Sequence, residues 1–224
     1  MRFKSIRTKL IASIVLITLA LLLIQQATNI ILLQNAFSRL VPTMMESSLE
    51  SAHTQITAKL QANFSALEAV ANMPYIRDTS VPLEERAESL AAFIAANEAK
   101  GYQACAITAT AGQAVLSFGV EIDVSIDSYF QEAIKGNNVV SDPFLSRATG
   151  KLLIVYAVPY YDAGGDIAGV ITLDVDALHL SNDFSVQGLG KSGMAFAITQ
   201  DGTTVVSTDL ETVEGQLNDL NEVK

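Results

Sequence analysis

Leu10 to Leu33 forms a predominantly apolar stretch of 24 residues, with Gln25 to Asn29 as its main interruption, preceded by four basic side chains, Arg2, Lys4, Arg7 and Lys9. As a helix it rises about 36 Å, enough to cross a hydrocarbon core of about 30 Å with some tilt. A removed secretory signal has a shorter apolar core of about 7–15 residues closed by a small-x-small site. Gln25-Gln26-Ala27-Thr28-Asn29 offers no such site, and the apolar pattern restarts at Ile30. The segment is therefore expected to be a retained membrane anchor, residues 10–33, behind a tip of residues 1–9. The basic tip places that tip in the cytoplasm by the positive-inside rule and everything after about residue 34 outside. Thr18, Gln25 and Asn29 share one helical stripe. They mark either the outer interface or a seam with a second helix, where polar groups in lipid find partners.

The formal charge is −10. Subtracting the +4 of the tip leaves about −14 on residues 10–224, an acidic exterior that argues against nucleic acid or anionic lipid as partner. Cys105 is the single cysteine, so no intrachain disulfide is available and stability must come from an apolar core.

Beyond the span, Met45, Leu49, Ile56, Leu60, Phe64, Leu67 and Val70 recur every three to four residues. This spacing predicts one long amphipathic helix, ending near Met73-Pro74 because proline disfavours helix in the residue before it. A second helix is signalled by Ser80 as cap, Pro82 in the first turn, Glu84 and Glu85 near its positive end and Gly101 past its last turn, with Leu83, Leu90 and Ile94 as the buried stripe. From Tyr102 the texture changes to short apolar runs: 102–108, 114–118, 152–160, 167–175, 194–199 and 203–207. Turn residues such as Ala111-Gly112, Gly164-Gly165-Asp166 and Asp201-Gly202 separate them. Strands joined over such short connections pair antiparallel, and a long helix followed by an antiparallel sheet is an α+β layered domain.

Three segments carry a family resemblance. Asp127-Ser-Tyr129-Phe130-Gln-Glu-Ala133, Val140-Ser-Asp-Pro-Phe144-Leu-Ser-Arg147-Ala-Thr-Gly150 and Ile167-Ala-Gly-Val170-Ile-Thr-Leu-Asp174-Val-Asp176 resemble the sensor region of double Cache domains. Gly188-Leu-Gly190-Lys-Ser-Gly193-Met-Ala-Phe196, followed by Asp201-Gly202-Thr, is similar to the opening of that family's second module. Double Cache domains are the extracytoplasmic input domains of bacterial methyl-accepting chemotaxis proteins and of many sensor kinases and diguanylate cyclases. The resemblance implies a PAS-like membrane-distal module over residues 34–180, including the stalk helix, and the start of a membrane-proximal module over 181–224. It implies a homodimer and, for the chemotaxis branch, control of a cytoplasmic kinase through sequence beyond Lys224, where a second span and the output domain are expected. A histidine kinase, a diguanylate cyclase, or an anchored binding protein without output remain alternatives.

In family members that bind amino acids, the distal pocket is described by an Arg-x-Trp-Tyr element, a later Tyr and an Asp on the last strand. Here Asp174 matches the Asp, Tyr129 and Phe130 stand at Trp-Tyr, Phe144 takes the later aromatic position, and Asp127 replaces the Arg. Arginine grips a carboxylate bidentately, whereas aspartate repels one. Period-two alternation puts Val170, Thr172 and Asp174 on one face of their strand, and Tyr156 is a further candidate for the lining. Two carboxylates among aromatic rings favour an amine or quaternary ammonium over a plain α-amino acid, through charge pairing and cation–π attraction. The bland alternatives are that Tyr129 and Phe130 are core aromatics and that Asp174 meets only solvent or backbone at a strand end.

No cofactor or catalytic residue is expected. His53 and His179 have no Cys or second His at zinc-ligand spacing. Gly190-Lys191-Ser192 ends like a phosphate loop, but Ser185 stands where the first glycine is required. Asp174-Val-Asp176 opens like a calcium loop without the later ligands. Ser146 to Gly150 reads as a turn, and Cys105 as a small buried hydrophobe.

Overall fold

The computed structural model describes residues 6–146, 150–182, 196–198 and 204–207. The chain divides into two compact units, Met1–Glu50 and Ser51–Lys224. Helix α1, Ile6–Ala71, contributes to both and holds Pro42 within it, a position that leaves the carbonyl four residues earlier without its usual donor. In the first unit the large apolar side chains from Leu10 to Leu33 are exposed. Mean hydropathy there reaches 2.3, so the segment is long and apolar enough to cross a membrane. Thr18 and Thr28 return their hydroxyls to the carbonyls of Ile14 and Ile24, which satisfies them within the helix.

In the second unit α1 presents Leu67, Val70 and Ala71 to the core, with Leu60 and Phe64 packed beside them. The helix stops at Ala71, close to the expected Met73-Pro74, and Pro74 opens the one-turn α2, Pro74–Arg77. The second expected helix is divided: α3, Leu83–Ser89, and α4, Ala91–Asn97, meet at Leu90, and a 3-10 turn, Glu98–Lys100, ends at Gly101 in the left-handed region. Ser80 does not cap it. Its amide and hydroxyl donate to the Asp78 carboxylate at 3.0 and 2.6 Å, and Pro82 precedes the helix instead. Arg86, 5% exposed, donates to the Ile76 carbonyl at 2.9 Å and stands over the Tyr160 ring, tying α3 to α2 and the sheet.

The strands are β1, Tyr102–Ala109; β2, Gln113–Leu116; β3, Glu121–Asp123; then, after helix α5, Ser128–Ala133, β4, Val139–Val140; β5, Phe144–Leu145; β6, Leu152–Tyr161; and β7, Ile167–Asp176. They form one sheet in the order β3-β2-β1-β7-β6-β4, with β5 also on β6, and every pairing is antiparallel. After β7 come α6, Ala177–Asn182, and a separate hairpin of β8, Phe196–Ile198, and β9, Thr204–Ser207. The phosphate-loop-like Gly190-Lys191-Ser192 lies outside the described residues.

Alternation divides the sheet into two faces. Cys105, Ile107, Ile154, Tyr156, Val158, Tyr160, Ile171, Leu173 and Val175 join the helices in one apolar cluster. Ala104, Ala106, Ala114, Leu116, Ala157 and Val170 form a second cluster with Phe130 and Ala133 of α5. The short alanine side chains leave a shallow floor on this second face. Gly169 is fixed by close approach: at φ +157° a Cβ would stand 2.0 Å from the Thr108 carbonyl oxygen and 2.7 Å from the Tyr160 ring.

Candidate ligand pocket

The β7 register sets the floor of a pocket on the second face. Asp174 lies opposite Ala104 on β1 and Val155 on β6, and Thr172 opposite Ala106 and Ala157. Around them stand Thr108, Ala114, Leu116, Ile122, Val124, Asp127, Tyr129, Phe144 and Ser146, which leave a small cavity of about 30 Å³. Tyr129 of α5 and Phe144 of β5 lie nearly parallel, 15° apart with centroids at 6.2 Å, an aromatic cover over the apolar walls. Asp127 immediately precedes α5 and accepts from the Tyr129 hydroxyl at 3.3 Å.

The structure thus brings together Asp127, Tyr129, Phe144, Thr172 and Asp174 of the expected lining. Phe130 and Tyr156 are not among the lining residues. Phe130, 5% exposed, points into the cluster beneath α5. Tyr156 is a correction with a simple cause: it neighbours Val155, which faces the pocket, so its own side chain must point the other way. It packs edge-on against Phe64 of α1 at 5.3 Å, with its hydroxyl buried near Asn63 and no well-formed hydrogen bond. Tyr156→Phe is accordingly expected to change module stability by no more than about 1 kcal/mol and ligand affinity by less than twofold, as measured by thermal melting and calorimetric titration.

Asp174 is the electrostatic centre of the site. Among the described residues none donates a hydrogen bond to its carboxylate, and burial pushes its pKa up from 3.8 to about 7, since a charge in a poorly solvated place is disfavoured. An arriving ammonium would supply the missing partner. Thr108 carries no motif of its own in the sequence; it is fully buried, and its hydroxyl has no hydrogen-bond partner among the described residues. The available signal was the period-two series Ala104, Ala106, Thr108, which shares the face of Asp174. A wider, open depression near Arg77, Asp78 and Asp162 has its groups engaged already: Arg77 donates to the Tyr161 and Asp162 carbonyls at 2.8 and 2.6 Å.

An antiparallel sheet with helices on one face and a covered pocket on the other is the PAS-like architecture of sensory modules. The chain belongs to the Cache domain family, whose model matches residues 26–223. Solved structures of similar fold include the sensory domain of the Campylobacter jejuni chemoreceptor Tlp3 with isoleucine bound, at 18% identity and TM-score 0.56, covering 75% of this chain and 69% of that one. The ligand-binding domain of the Pseudomonas aeruginosa amino-acid chemoreceptor PctC, in complex with GABA, matches at 15% identity and TM-score 0.59 over 75% and 76%. An extracellular domain assigned to a histidine kinase, rpHK1S-Z16, matches at 19% and 0.56 over 70% and 68%. No curated protein matched the sequence.

Proposed function

We propose that this chain is the input part of a transmembrane chemoreceptor, anchored by residues 10–33 with its N-terminus in the cytoplasm, and that its pocket binds a small ammonium-bearing ligand outside. The observation carrying this reading is the Asp174 carboxylate, which has no hydrogen-bond donor among the described residues and lines the same cavity as Tyr129 and Phe144. Amino-acid ligands of the similar Tlp3 and PctC domains support a small amine-containing molecule. Asp127, in place of the family's arginine, favours one without an α-carboxylate, because that group would face a second negative charge. The homodimer and the cytoplasmic kinase partner belong to the same reading. The likeness to the rpHK1S-Z16 domain supports a second one, in which the same input feeds a histidine kinase.

Binding a cation to ionised Asp174 must expel the proton held below about pH 7. The affinity of n-hexylamine is expected to fall about tenfold per pH unit below 7 and to level off above it, with nearly one proton released at pH 6 and almost none at pH 8.5. Calorimetry in buffers of different ionisation enthalpy measures both. A screen in which carboxylates such as hexanoate raise the melting temperature while amines and tetramethylammonium do not would overturn the reading.

A further inference from the structure

The packing of α1 on the sheet contains a polar cluster inside its apolar surroundings. Asn63 of α1, 2% exposed, accepts from the Tyr102 hydroxyl through Oδ1 at 2.9 Å. The Tyr156 hydroxyl lies beside the same amide, yet neither it nor Asn63 Nδ2 has a partner among the described residues. A buried amide donor and a buried hydroxyl thus stand side by side unpaired, and each is destabilising while left so. The two tyrosines flank β7. Tyr102 on β1 is the register partner of Val175, and Tyr156 on β6 that of Leu173. Leu173 and Val175 pack in the cluster that holds Leu67 and Val70 of α1, so Asn63 belongs to the same helix face and reaches to either side of β7. With Oδ1 held by Tyr102, Nδ2 makes no bond to Tyr156. Through this amide the helix is tied to β1 and not to β6.

We propose that α1 has two seats on the sheet with Asn63 as the latch, its amide paired with Tyr102 in one and with Tyr156 in the other. Exchange replaces one neutral hydrogen bond by another of the same kind, and in either seat one tyrosine hydroxyl is left unpaired. The seats are therefore close in energy, and a small bias selects between them. Phe64, the next residue of the helix, already packs edge-on against the Tyr156 ring at 5.3 Å, which keeps the second seat within a side-chain movement of the first. The choice of seat sets which flank of β7 the helix follows. This inference is independent of the ammonium reading of Asp174, since it concerns how the helix is held and not what the pocket takes.

The test is a mutational cycle on the full chain in lipid nanodiscs, read by thermal melting. Tyr102→Phe lets the amide move to Tyr156, and Tyr156→Phe removes an idle hydroxyl, so each alone shifts the melting temperature by no more than about 3 °C. The double variant Tyr102→Phe/Tyr156→Phe leaves the amide no seat and lowers it by at least about 3 °C beyond the sum of the single changes. A double variant equal to that sum overturns the latch and leaves a fixed Tyr102–Asn63 bond. Fluorine NMR of protein carrying fluorotyrosine supplies a readout independent of stability. The Tyr156 resonance, assigned by its loss in Tyr156→Phe, is expected to shift on Tyr102→Phe with Asn63 present and to stay in place when the same change is made on Asn63→Leu. An unmoved resonance in the first case, or an equal shift in both, also overturns the latch.

Discussion

Asp174→Asn is expected to raise the stability of the unliganded module most at alkaline pH and to remove most of its affinity for amines. The folded pKa is about 7 and the ordinary value 3.8, so the native state holds the proton more tightly than the unfolded chain. The sign comes from that order. Below pH 3.8 both states are protonated and nothing is lost; between the two values the unfolded chain gains by ionising; above pH 7 the native state carries an uncompensated carboxylate. The full cost is on the order of 4 kcal/mol above pH 7, and only about a third of it is present at pH 5. Asparagine keeps the shape without the charge, so the gain at pH 8 should exceed that at pH 5 by about 2–3 kcal/mol, or about 5–10 °C in melting temperature. Hexylamine affinity should fall at least tenfold, since a hydrogen-bonded ion pair is replaced by a neutral contact. Equal stabilisation at the two pH values would show that Asp174 is solvated.

Gly169→Ala is expected to be the most damaging single-methyl change in the sheet. The added Cβ meets the Thr108 carbonyl oxygen at 2.0 Å and the Tyr160 ring at 2.7 Å, and the first of these is backbone that cannot turn aside. Displacing β1 from β7 there disturbs the pairs Thr108–Val170 and Ala109–Gly169 together. The expected loss is about 3 kcal/mol or more, enough to abolish the cooperative melt of a marginal module. Gly165→Ala is the matched control: its φ of +91° is also left-handed, but nothing lies within 4 Å, so only the conformational cost of about 1–2 kcal/mol remains. Comparable losses for the two variants would locate the cost in backbone angle rather than in contact.

The long elements were legible because their periodicity is sustained. Leu60, Phe64, Leu67 and Val70 announced a helix face, and Val170, Thr172 and Asp174 a strand face, each from spacing alone. The three short strands, Glu121–Asp123, Val139–Val140 and Phe144–Leu145, are too brief to display a period. The division at Leu90 escaped because Ala91 to Asn97 continues a good helical composition on either side of the join. Arg86 and Asn63 are buried by partners 74 and 39 positions away, a burial that no local pattern contains. In the pocket, Asp127, Tyr129, Phe144 and Asp174 came from a family motif, whereas the orientation of Tyr156 required the register of β6 against β7. Ala104 and Ala106 looked like ordinary small strand residues. Only the pairing with β7 showed that they make room beneath a cavity.

Strand β7 alternates between two audiences. Asp174 looks into the pocket, while its immediate neighbours Leu173 and Val175 are fully buried in the cluster that holds Leu67 and Val70 of α1. The proposed ligand face and the helix-facing cluster are therefore separated by the one backbone layer of this strand. Sensitivity in such an arrangement is set by how stiffly a single strand is held. The glycine contact at its start and the α6 cap at its end, where Asp176 accepts from the Leu178 and His179 amides, become its two clamps, so in the proposed receptor loosening either should blunt the response even where the ligand still binds.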